Sequence, residues 1–458
     1  MRTHLKFLPL LLVALVGCRS DSQPTATAAA PTDDAATNEL APAALPDRKE
    51  TALDRYVARA EKSYQWQDAP ELVQSAGETD LRLTSQTWQG KEWTHRLQIF
   101  TPEKMEFPDA ALINVSFGSG SLPETFAGQA LADATGTTVV NLFNVPNQPL
   151  YDRSEDDLIA YTFEQYLKTG DETWPLLLPM TKSVTQAMNA LQEWSGKNGE
   201  TKIERFIVSG ASKRGWTTDL VAAVDPRVVG IVPIVYDNLN LPQQIAHQTE
   251  IWGKTSDMTG AYNDIGLFEA MQTPAGQKLV GIIDPYAYRG RLTMPKLFVH
   301  ATNDPYWSHD SQQFYWSGLT GENRLFEVPN APHTLGNNFA AVAGSAAAWG
   351  RLVLAGQSVP DVALQVDDKD GKHSFSARTD GKPSRVRLWI ASSANRDFRK
   401  AQWRAVEMKK QEGGDYTVTM EDAKLFGAGN RAAAFAEIEI AAQPLPLRLS
   451  SQMWEEGK

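Results

Sequence analysis

The stretch "IERFIVSGASKRGWTTDLVAAVDPRVVGIVPIVYD", residues 203–237, constrains the fold of this chain more than any other. An apolar run ending in Ser-Gly leads into a helical pattern, and a second apolar run follows. Runs that are apolar on both faces suit strands buried in a parallel sheet, and parallel neighbours need crossover helices between them. Flanking segments repeat the rhythm. "AALINVSFGSGS" and "GTTVVNLFNV" read as buried strands, and "SVTQAMNALQEW" carries Val184, Met188, Leu191 and Trp194 at helical spacing. "PKLFVHA" resumes the sheet and "RLFEVPN" reads as its last strand, while "HDSQQFYWSGL" and "NNFAAVAGSAAAWGRLVLAG" read as helices. Ahead of them, "LRLTSQTW" and "WTHRLQIFTP" alternate apolar and polar residues, as half-buried antiparallel strands do. The pattern predicts an α/β domain over 48–358 with a mostly parallel sheet.

Two interruptions shape that domain. Between about 237 and 290 the rhythm lapses into a polar and aromatic excursion, read as a lid insertion over the carboxyl edge of the sheet. Its Trp252, Tyr262, Tyr286 and Tyr288 either wall a pocket or fill the lid's own core. From 359 to 445 short alternating strands with Asp-Gly turns predict a small C-terminal β-sandwich, suited to packing on the main domain or to meeting a protein partner.

The N-terminus has a separate logic. Arg2, His4 and Lys6 precede "FLPLLLVALVG", an apolar run too short to span a bilayer as a stable helix. It ends in "LVGC", which resembles a bacterial lipobox, so 1–18 is expected to be a lipoprotein signal peptide with Cys18 as the lipidated residue. Cys18 is the only cysteine, which excludes a disulfide within the chain. Arg19 follows it, favouring an outer-membrane or surface anchor in the bacterial envelope. Residues 19–47, rich in Ala, Pro, Thr and Asp, read as a flexible tether. A net charge of −11 argues against nucleic acid as a partner.

The chemistry is expected where strands end. Ser212, in Gly210-x-Ser212-x-x-Gly215, follows the strand 203–208; Asp304 follows 296–300; His333 follows 324–328. A serine nucleophile needs a histidine base oriented by a carboxylate, and nucleophile, acid and base come here in that order. Each has an ordinary alternative: Ser212 as a helix N-cap, Asp304 as the turn residue of Asp-Pro, His333 as a loop histidine. His300 and His309 compete as the base. Oxyanion donors are expected from the backbone of Lys213 and from Gly118 or Ser119 in the loop after "ALINVSF". Lys213 and Arg214 side chains lie beside the serine; Arg214 either stabilises the developing anion or points to solvent or pairs with a carboxylate such as Asp219 or Asp225. The scattered histidines form no credible metal-ligand set, and no cofactor motif is present.

"GASKRGWTTDLVAAVDPRV", "PKLFVHATNDPYW", "VPNAPHTLG" and "RDFRKAQW", with Tyr64-Gln65-Trp66 and "LTSQTW", resemble the PhoPQ-activated pathogenicity-related protein family. That resemblance implies an α/β-hydrolase-like fold in a secreted or envelope protein, an acid at Asp304 and a histidine at His333. Pro305 departs from the acidic residue common at that position in the family. The combined expectation is a lipid-anchored serine hydrolase acting on an ester or peptide bond in a small molecule or peptide. The competing one is a hydrolase-fold protein that binds or signals without turnover.

Overall fold

Strand formation follows the apolar runs closely. The computed structural model describes residues 49–75, 77–120, 122–197, 201–443 and 445–457; Cys18, the leader and the tether lie outside the described residues. The main sheet is built from β1 (Gln65–Asp68), β2 (Glu78–Trp88), β3 (Lys91–Phe100), β4 (Ala110–Val115), β5 (Thr138–Leu142), β6 (Arg205–Ala211), β7 (Val228–Ile234), β8 (Lys296–Ala301) and β9 (Asn323–Val328). Their spatial order is β1-β2-β3-β5-β4-β6-β7-β8-β9. Pairing is parallel from β5 across to β9 and antiparallel among β1, β2, β3 and β5. The swap of β4 and β5 in this order places a topological switch beside β6, and the antiparallel β3 followed by parallel strands is the arrangement of an α/β-hydrolase. β5 and β8 are buried at every residue, Asn141, Lys296 and His300 included.

Helices cover both faces. They are α1 (Ala52–Ala58), α2 (Leu122–Thr135), α3 (Glu155–Thr169), α4 (Leu177–Lys197), α5 (Lys213–Val224), α6 (Leu241–Trp252), α7 (Gly260–Asp264), α8 (Leu267–Ala270), α9 (Pro274–Ile283) and α10 (Phe339–Leu354). Met188, Trp194, Trp216 and Leu220 from α4 and α5 join one core, while Ala132 of α2 and Trp349 of α10 join the other. Helices α6 to α9 form the insertion between β7 and β8.

One expected helix is absent. "HDSQQFYWSGL" forms two separate 3-10 turns, Ser311–Phe314 and Trp316–Gly318. Local side chains compete for its backbone: Ser311 Oγ donates to the Ser308 carbonyl at 2.8 Å, and Gln312 is drawn to Glu327 in β9.

The C-terminal strands form two layers. They are β10 (Ala363–Lys369), β11 (Lys372–Arg378), β12 (Arg385–Ser393), β13 (Arg404–Glu407), β14 (Lys409–Lys410), β15 (Tyr416–Glu421), β16 (Arg431–Ile440), β17 (Leu447–Ser450) and β18 (Trp454–Gly457). One layer is β10-β11-β15-β14; the other, β17-β16-β12-β13 with β18 beside β16, is continuous with the main sheet. The junction pairs Ser450 with Leu325, so β9 is not an edge strand. The layer also runs past residue 445, through β17 and β18. Apolar residues at the two-residue period of β11 and β12 share a core with Phe326 and Trp349 of the main domain.

Candidate active site

Ser212 is the single residue between the end of β6 and the start of α5. Its φ of 58° and ψ of −125° hold it in a conformation uncommon for a residue with a Cβ. Although it stands at the N-cap position, its side chain makes no capping bond. Ser212 Oγ lies 2.9 Å from His333 Nε2, and His333 Nδ1 lies 2.6 Å from Asp304 Oδ2. Both alternatives for Asp304 hold at once, because its other oxygen accepts the Tyr306 N–H at 2.8 Å across the Asp-Pro turn. The Tyr306 ring packs on the His333 ring at 4.2 Å between centroids. His300 sits 3.4 Å from Asp237 and 3.5 Å from Glu327, and His309 Nε2 sits 3.5 Å from Glu455. Burial pushes the Asp237 carboxyl up to about 7.

The glycines explain the unusual spacing. A Cβ on Gly210 would meet the Arg214 carbonyl oxygen at 2.6 Å, and one on Gly215 would lie 3.0 to 3.2 Å from Tyr236 Cβ and the Gly210 and Ile234 carbonyls. The second close approach of helix to strand thus falls three residues after the serine, which leaves a side chain free at Arg214.

That side chain turns inward. Arg214 donates to both carboxylate oxygens of Glu155 at 2.8 and 2.6 Å and to the Val145 carbonyl at 2.7 Å. Lys213 Nζ reaches Glu155 at 2.8 Å and Asp156 at 3.4 Å. The carboxylates expected as partners of Arg214 do not pair with it: Asp225 pairs with Arg227 at 2.6 Å, and Asp219 is buried with no hydrogen-bond partner at either oxygen among the described residues. Burial alone would raise the Glu155 carboxyl, but the Arg214 hydrogen bond and the charges of Arg214 and Lys213 together hold it well below the ordinary carboxylate range. Glu155 and Asp156 were missed in the sequence; "SEDD" at the head of an amphipathic helix was their signal.

Lys213 is the first residue of α5, and its N–H has no partner within the helix. Gly118 and Ser119 lie in the loop leaving β4, Gly118 at φ 71°. Arg96 fixes this loop by donating to the Ser119 carbonyl at 3.0 Å while paired with Glu78 and Asp80.

The C-terminal domain reaches the site from behind. Asn303, which precedes Asp304, donates through its amide to the Ala401 carbonyl at 2.7 Å. Asn330, three residues before His333, donates to the Trp403 carbonyl and accepts the Trp403 N–H, each at 2.8 Å. Arg396 bonds Asp310 at 2.8 Å and Glu455 at 3.1 Å. His309, Asp310 and Glu455 are spaced to suit a cation, but Arg396 already bonds both carboxylates.

An open pocket starts at Ser212. Trp216, Tyr236, Tyr306 and Trp307 wall it from the main domain, and Ile245 and Phe268 from the insertion. Of the four lid aromatics singled out in the sequence, Tyr262 lines it. Tyr288 is buried in packing with its hydroxyl on the Ile282 carbonyl, and Arg399 covers Trp252 at 3.9 Å.

The family model described as PhoPQ-activated pathogenicity-related protein matches residues 53–399. The autocrine proliferation repressor protein A of Dictyostelium discoideum is 35% identical over 380 residues, 76% of each chain. Among solved structures, acetyl xylan esterase 1 from Thermoanaerobacterium sp. JW/SL YS485 aligns with 64% of this chain and 89% of its own, at 16% identity and a TM-score of 0.45. A puromycin-hydrolyzing peptidase of Mycobacterium tuberculosis aligns with 62% of this chain and 41% of its own, at 15% identity and a TM-score of 0.42.

Proposed function

We propose that this chain, which belongs to the PhoPQ-activated pathogenicity-related protein family, is a serine hydrolase that cleaves an ester or peptide bond. The observation that carries the reading is the unbroken run of hydrogen bonds from Ser212 Oγ through the His333 ring to Asp304, presented at the mouth of a pocket. In this reading Ser212 Oγ attacks the substrate carbonyl carbon while His333 Nε2 takes the hydroxyl proton. Asp304 holds Nδ1–H, fixing the tautomer and stabilising the imidazolium. The tetrahedral oxyanion is met by the Lys213 N–H and by an N–H of the Gly118–Ser119 loop. The Arg214 guanidinium is tied to Glu155 and helps by bracing the elbow. Collapse of the intermediate expels an alcohol or amine that takes its proton from His333. Water activated by the same imidazole then releases the acid.

The test is turnover of aryl esters and aminoacyl amides by the purified soluble part of the chain, beside Ser212→Ala. Turnover lost in the variant supports the reading, and equal turnover by both proteins refutes it. The name of the Dictyostelium relative describes repression of proliferation rather than a reaction, which favours a second reading as a binding or signalling protein on a hydrolase fold. On that reading Ser212→Ala retains full biological effect. Lipidation at Cys18 and an envelope location belong to the proposal as well, and Cys18→Ala is expected to release the protein from membranes.

A further inference from the structure

We infer that the pocket beside Ser212 is a binding subsite for an uncharged aromatic group bearing a hydroxyl at its tip, with Asn238 as the residue that reads that hydroxyl. The inference deepens the hydrolase reading and rests on it for the identity of the reacting serine.

Three observations carry it. First, the walls suit a flat ring. Trp216 and Tyr236 stack at 5.2 Å with 15° between planes, Trp307 meets Tyr236 edge-on at 6.0 Å, and Tyr306 leans on Trp307 at 5.5 Å. Aromatic walls of this kind bind rings through offset and edge-to-face contacts. Second, the charges lining the pocket are already partnered. Lys213 pairs with Glu155 and Asp156, and Asp156 also accepts the Tyr262 hydroxyl at 3.0 Å. A charged ligand group would have to displace one of these partners, whereas a neutral one displaces nothing. Third, two lining residues carry buried polar atoms without a partner. Among the described residues, Asn238, 6% exposed, has no hydrogen-bond partner at Oδ1, and Tyr236, 2% exposed, has none at its hydroxyl. Buried polar atoms are nearly always paired, so an unpaired amide oxygen on a residue lining the pocket beside the reacting serine is a place where a ligand group can complete the bonding. An amide can accept a hydrogen bond from a hydroxyl or donate one to its oxygen, which suits a phenol or alcohol and is wasted on a hydrocarbon.

The experiment compares methyl 4-hydroxyphenylacetate with methyl 4-methylphenylacetate, which differ by hydroxyl against methyl at equal size. Binding to Ser212→Ala is followed by isothermal titration calorimetry, so that turnover plays no part. The hydroxyl compound is expected to bind at least about tenfold more tightly, because a site built to bond a hydroxyl rejects the analogue lacking it. In Ser212→Ala/Asn238→Leu the ratio should fall to near one while the melting temperature does not drop, since a buried amide oxygen without a partner is removed. Equal binding of both compounds to Ser212→Ala overturns the inference, and so does a preference that survives Asn238→Leu. If the preference holds but the wild-type protein hydrolyses neither compound, the subsite stands and the hydrolase reading is what fails.

Discussion

Part of the cost of the site is held at Ser212. A non-glycine residue held at φ 58° stores on the order of 1–3 kcal/mol that the surrounding packing must offset. Ser212→Gly is therefore expected to raise stability by about 1 kcal/mol in denaturant unfolding while abolishing turnover, a trade between activity and stability at a single position. A destabilised Ser212→Gly would contradict this account of the elbow. Glu155 offers a second test. Its carboxyl is depressed in the folded protein by Arg214 and Lys213, so the stability it contributes is complete above the ordinary glutamate value of 4.5 and is lost as pH falls through the folded value. The melting-temperature gap between wild type and Glu155→Gln should be widest near neutral pH and shrink steadily on acidification below about pH 4.5. A gap that stays constant through that range would mean the ion pairs do not hold the elbow.

At the level of elements, the acid loop and the histidine loop are each pinned by an asparagine to the segment 398–403. Asn330→Ala removes two hydrogen bonds with the Trp403 backbone and leaves those groups without their partner, a loss of about 1–3 kcal/mol. Because a small displacement of His333 lengthens its bond to Ser212, kcat is expected to fall about tenfold with KM little changed. Unchanged kcat in a folded variant would show that the loop holds its shape unaided. These elements also show what was legible in the sequence. The three strand ends that carry Ser212, Asp304 and His333 could be read because the buried parallel strands before them are largely apolar, and the order of the three residues follows from them. The partner of Arg214 could not be read, since Glu155 lies 59 residues away on α3 and meets it through the fold alone. The 3-10 turns at 311–318 were hidden for a related reason. Their sequence has helical composition, but Ser311 and Gln312 bond the backbone and a neighbouring strand instead.

Across the whole molecule, alternation and Asp-Gly turns gave the C-terminal strands away, but periodicity cannot say that one of their layers continues the main sheet. That continuity has a consequence for stability. Ser450 pairs with Leu325, and Phe326, Leu388, Leu449 and Trp349 share one core, so the two regions should unfold together. A single cooperative calorimetric transition is expected for residues 49–458, and a chain ending at 358 should be insoluble or lack a native transition, because β9 would become an exposed apolar edge. Two separated transitions would show the domains to be independent.

The account stands or falls on whether Ser212, activated by His333 and Asp304, is a nucleophile. Treating the wild-type protein with a fluorophosphonate and mapping the adduct by peptide mass spectrometry asks this directly. The prediction is one adduct, on Ser212, that is lost in a folded His333→Ala protein. No adduct on the folded wild type, or one on a different serine, would contradict it.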